Sequence, residues 1–152
     1  MPAPSGFVQH VSGQWMKTSD QSGPYNFDGT NMVLAGPSGL TTVSSGNVAN
    51  ASAAATLAAV AAKTNYLAGF EITAGGATGA ALVSATITGL AGGTATYTFG
   101  APAGATVAAT PLVVWFPTPL PASAVNTAIV VTLPALGAGN TNATVVVHGY
   151  TQ

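Results

Sequence analysis

The chain has 152 residues, of which 3% are charged, and it contains neither arginine nor cysteine. So few basic side chains leave no basis for nucleic-acid binding, which depends on lysine and arginine displacing counterions from phosphates. Without cysteine there is no disulfide framework and no thiolate metal site, and no run of about 18 apolar residues is free of Thr, Ser, Gly and Pro, which argues against a membrane-spanning helix.

The whole ionic inventory is Lys17, Asp20, Asp28, Lys63 and Glu71, whereas a typical soluble domain is about 25% charged. Disorder is contradicted by the 48% hydrophobic content and by the strand periodicity below. A transmembrane barrel calls for aromatic girdles and longer alternating strands, and aromatics are only 7%. A net charge of −1 offers little repulsion against self-association. Assembly into a larger body is the expectation. The first residues, Met-Pro-Ala-Pro-Ser-Gly, lack the basic segment and apolar core of a secretory signal, so synthesis in a cytoplasm is expected.

Residues 1–45 form a region of their own, with single aromatics Phe7, Trp15, Tyr25 and Phe27 spaced among polar turn formers. Gly23-Pro24 and Asp28-Gly29 mark turns, and Thr30 to Ala35 suits one short strand. Ordering backbone costs about 1–2 kcal/mol per residue, which so few anchors could hardly offset in isolation. The region is therefore read as an extended arm. It either orders on a neighbouring subunit, with Trp15 and Tyr25 as anchors, or folds back over its own domain.

From residue 46 onwards Ala, Thr, Val and Gly dominate. Ala53 to Ala58 reads as a strand, although alanine equally favours helix. In Asn65 to Thr73 the residues Tyr66, Ala68, Phe70 and Ile72 are assigned to one face and Glu71 to the other. The clearest pattern is Ala81 to Thr88 followed by Thr94 to Phe99, where apolar and hydroxylated residues alternate as on a half-buried strand pair. Gly89 to Gly93 supplies the hairpin loop. Pairing Thr88 with Thr94 sets Ile87 against Ala95, Ala85 against Tyr97 and Val83 against Phe99, with threonine and serine on the opposite face.

Pro111 to Pro117 is apolar on both faces, which suits a strand covered on both sides. Pro117, Pro119 and Pro121 are expected to end its pairing. Ala128 to Leu133 alternates again, Gly137 to Asn140 is a loop, and Ala143 to Tyr150 is the last strand. About eight short strands with Gly/Pro turns predict an all-β fold, an antiparallel β-sandwich of the jelly-roll kind over residues 46–152.

Little in this chain resembles a catalytic constellation. Nucleophilic catalysis needs a hydroxyl or thiol, a base and an orienting acid; His148 with Glu71 and a serine is the one arrangement conceivable on paper. The ordinary reading of His148 is a strand residue near a subunit contact, and of His10 a polar group in the arm. Asp20 and Asp28 are close in sequence but both lie in the arm, short of what a pair of glycosidase carboxylates or a hard-cation site requires. Gly75-Gly76-Ala77-Thr78-Gly79 lacks the lysine and helix of a phosphate loop. No enzyme activity, cofactor, metal or small-molecule substrate is expected.

The series Lys63 to Phe70, Pro111 to Pro117, Pro119 to Ser123, Asn126 to Ile129 and Gly149-Tyr150 resembles small jelly-roll domains in virion proteins of tailed bacteriophages, across roughly residues 46–152. The resemblance implies a capsid decoration or cement protein on the phage head, frequently a homotrimer, bound to the major capsid protein and made in the bacterial cytoplasm. It also admits a tail or head-fibre module that binds host glycans. Phe7, Trp15, Tyr25, Phe27, Trp115, His148 and Tyr150 are the candidate contact residues.

Overall fold

The computed structural model describes residues 7–9, 15–17, 25–27, 32–34, 39–136 and 142–152, with side chains from residue 39 onwards. The chain divides into two units, Met1–Pro37 and Ser38–Gln152. In the first, strands β1 (Phe7–Gln9) and β2 (Trp15–Lys17) pair antiparallel, as do β3 (Tyr25–Phe27) and β4 (Met32–Leu34). The side chains of Phe7, Trp15, Tyr25 and Phe27, like His10, Asp20, Asp28 and the loop 137–141, lie outside the described residues.

The second unit is all-β, with eight strands: β5 (Thr41–Ser44), β6 (Ala53–Leu57), β7 (Asn65–Gly75), β8 (Ala81–Thr88), β9 (Ala95–Ala101), β10 (Leu112–Pro121), β11 (Ile129–Leu133) and β12 (Asn142–Thr151). They form two four-stranded sheets, β10-β7-β12-β5 and β6-β11-β8-β9, every pairing antiparallel. Alternation explains why these segments are strands. Ala53, Ala55 and Leu57 on β6, Val83, Ala85 and Ile87 on β8, Ile129, Val131 and Leu133 on β11, and Ala143, Val145 and Val147 on β12 all turn inward and are buried. Transfer of that apolar surface out of water, at about 25 cal/mol per Å², holds the sheets face to face. Aromatic rings span the layers: Phe70 on β7 meets Tyr97 on β9 edge-on at 5.1 Å and leans on Phe116 of β10 at 6.4 Å.

The expected hairpin register is the one observed, with Ile87 opposite Ala95, Ala85 opposite Tyr97 and Val83 opposite Phe99. On its outward side Ser84 and Thr98 share a hydrogen bond of 2.9 Å. Gly89, at φ +85°, opens the loop, and a Cβ there would collide with the Ala128 carbonyl. Among the described residues one polar side chain is fully enclosed. Asn65 donates through Nδ2 to the carbonyls of Leu57, Ala58 and Thr127, at 3.2, 2.9 and 2.8 Å, tying the loop after β6 to the approach of β11.

Four local expectations are corrected. Tyr66 and Ala68 do not share the face of Phe70 and Ile72, because Gly69 pairs with His148 while Leu67 pairs with Gly149. Ala68 is thus an extra residue, a bulge that reverses the alternation and turns Asn65 and Leu67 inward. The prolines do not end β10, because Leu120 and Pro121 pair again with Leu67 and Tyr66 after the register shifts. On an edge strand a missing N–H is tolerated. The Pro111–Pro117 run is not covered on its outward side, where Val113 and Trp115 remain 53% and 52% exposed. Thr41–Ser44, placed in the arm on sequence grounds, is the edge strand beside β12; four residues are too short for alternation to register.

Candidate functional site

The outward face of the β10-β7-β12-β5 sheet collects the unusual side chains. One cross-strand row runs through all four strands: Trp115 on β10 is opposite Gly69 on β7, which is opposite His148 on β12, which is opposite Thr42 on β5. The next row along is Val113, Glu71, Val146 and Ser44. Three of the seven contact candidates, Trp115, His148 and Tyr150, share this face.

Gly69 makes the first row possible. A Cβ at that position would lie 2.7 Å from Trp115 Cε3 and equally close to the Val114 carbonyl, so only glycine lets the indole lie across the middle strand. A glycine inside a strand commonly marks such an approach of another group. The indole reaches the His148 imidazole, with ring centroids 4.8 Å apart and planes inclined by 22°.

The imidazole is held from two further sides. Thr42 Oγ1 lies 3.0 Å from Nδ1, and Glu71 Oε1 lies 3.4 Å from Nε2. Either atom of the Thr42–His148 pair can donate, according to which ring nitrogen carries the proton. Nε2 is shielded from solvent and is not aligned for a hydrogen bond among the described residues, so the Glu71 contact is electrostatic proximity. Glu71 is 41% exposed and the imidazole only 13%. Glu71 is thus the surface acid that its parity indicated. Further along the face Tyr66 and Tyr150, directly opposite in register, stack at 5.1 Å with planes 10° apart.

Hydroxyl, imidazole and carboxylate follow one another here in the order of a nucleophile, a base and an orienting acid, with Thr42 where a serine was envisaged. The three groups sit on an open sheet face, Thr42 on a four-residue edge strand, and four cavities elsewhere on this unit are lined by other residues. The arrangement fixes the orientation of an imidazole beneath an indole and encloses no substrate. Gly75 to Gly79 leads from β7 to β8, with Gly75 and Ala77 bridged to Ala108 and Ala103, and opens no helix. Among the described residues no three His, Asp or Glu side chains gather as a metal site, and no helix is long and apolar enough to cross a membrane.

Reading strands singly missed Thr42 and Gly69, because their roles exist only across strands. The one signal available was a glycine inside a strand pattern. Compared with family profiles, with curated proteins and with solved structures, the chain matches none.

Proposed function

We propose that the protein is a non-enzymatic structural component of a tailed-phage virion. It attaches to the major capsid shell as an oligomer and reinforces it, with residues 1–37 making the attachment. The observation that carries this reading is the ionic poverty of the sandwich: from Ser38 to Gln152 the only formally charged side chains are Lys63 and Glu71. Such a surface packs against neighbours without the cost of stripping water from ions, and it gains little of the repulsion that keeps free proteins apart.

The fold reading goes with it. The first of the eight strands pairs with the last, the second with the seventh, the third with the sixth and the fourth with the fifth. One long hairpin rolled into two sheets has these ladders, which supports a jelly roll, an architecture found among viral capsid domains. Fold alone does not carry function, and the homotrimer rests on the resemblance.

Imaging of purified particles assembled with and without the chain tests the proposal. Regular added density on the head surface, and heads that survive heating better when it is present, are expected. A chain recovered only as a free monomer, absent from particles, would overturn it.

A further inference from the structure

Trp115 is held firmly and yet left in water. Gly69 lies beneath it, His148 stacks against it, and Thr42 hydrogen-bonds His148 in turn, with Glu71 3.4 Å from its other ring nitrogen, while 52% of the residue stays exposed. Immobilising a large side chain costs entropy, and exposing it forgoes the gain from burial. A ring prepared in this way presents a rigid flat surface at no further ordering cost when a ligand arrives, which is what pre-organisation means for affinity.

We infer that this cluster binds a neutral pyranose unit of a glycan, with Trp115 as the platform and Glu71 as the rim acceptor. A pyranose has a face of C–H groups and an edge of hydroxyls. The C–H groups carry slight positive charge and complement the negative face of the indole. The hydroxyls need partners at the edge of that platform. Glu71, two residues along β7 from Gly69 and 41% exposed, offers a charged acceptor, the stronger kind.

Charge selects among sugars. Lys63 is the sole Lys or Arg in residues 39–152 and stands in the loop before β7, so nothing on the face balances a carboxylate or phosphate, and Glu71 repels both. The ligand therefore carries no acidic group. His148 and Thr42 act through Trp115 and are positioning residues.

An array of neutral and acidic oligosaccharides, followed by calorimetric titration of the full chain with the best neutral binder, tests the assignment. Saturable binding to neutral glycans is expected, with sialylated and uronate-containing ones rejected. Trp115→Ala should weaken binding about tenfold or more, the scale of a central anchor, and Trp115→Phe only a few-fold. Gly69→Ala should weaken it nearly as much as Trp115→Ala although every contacting group remains, because its methyl displaces the ring. Glu71→Ala, at an exposed position, supplies an independent variant whose loss of affinity should not accompany loss of fold.

Absence of binding to any neutral glycan overturns the inference, as does binding that Trp115→Ala leaves intact. Self-association abolished by Trp115→Ala overturns it too, by giving the ring to a second copy. The inference does not rest on the attachment proposed above. Loss of attachment to particles in Trp115→Ala would overturn it as well, by giving the ring to the shell.

Discussion

The outward face of the β6-β11-β8-β9 sheet carries Ser84 opposite Thr98 and Thr86 opposite Thr96, a surface mainly of small hydroxyls interrupted by Val130 and by Leu82 at 80% exposure. The other sheet turns outward Val113, Trp115, Glu71, His148 and the Tyr66–Tyr150 stack. Their inner faces are alike, rows of Ala, Val, Leu and Ile with a few aromatic rings between them. Inner faces obey one requirement, exclusion of water, whereas outer faces are free to differ, so chemistry particular to this protein is concentrated where burial does not dictate the residue.

The comparison is broken most severely from within, where the sheets share one core. Phe70→Ala should lower stability by about 3–5 kcal/mol, read as a shifted urea midpoint, and should disorder both faces together. A loss confined to one sheet would show that the layers are separable. Asn65→Ala should cost about 2–3 kcal/mol, since three carbonyls lose their common donor in a dry site. Hydrogen exchange should then rise first in the loops after β6 and before β11.

A matched pair of glycines sharpens the contrast between the outer faces. Gly69→Ala should cost about 1–3 kcal/mol as the indole is forced from its seat, with tryptophan emission moving to longer wavelength. Gly100, on the hydroxyl face, has open space where a Cβ would stand, so Gly100→Ala should change stability by no more than about 0.5 kcal/mol. Equal effects would mean that the row through Trp115 is no more organised than its counterpart. The Ser84–Thr98 pair should show a coupling of about 0.2–1 kcal/mol in a double-mutant cycle.

Much of the sandwich was legible strand by strand. The Ala81–Phe99 hairpin was read to its register because alternation names the buried face and a glycine loop limits the offset between arms. Three of the four errors fell where alternation itself fails: the bulge at Ala68, the prolines carried within an edge strand, and β5, too short to have a pattern; the fourth was the cover expected over the outward side of β10. Of the site, Trp115, His148 and Tyr150 were singled out as separate contacts, and Glu71 was assigned correctly to a surface. That Thr42, Gly69, Trp115 and His148 stand in a single row was not legible.

The amino-acid order by itself determined the all-β class, the inward residues of most strands and the nearly ion-free surface, because composition and period-two patterning act within each segment. Tertiary structure alone decided which strands lie side by side and hence which side chains meet. Thr42 and His148 come together from 106 residues apart, a choice made by how all eight strands can jointly close one core. No local pattern of hydrophobicity carries that information.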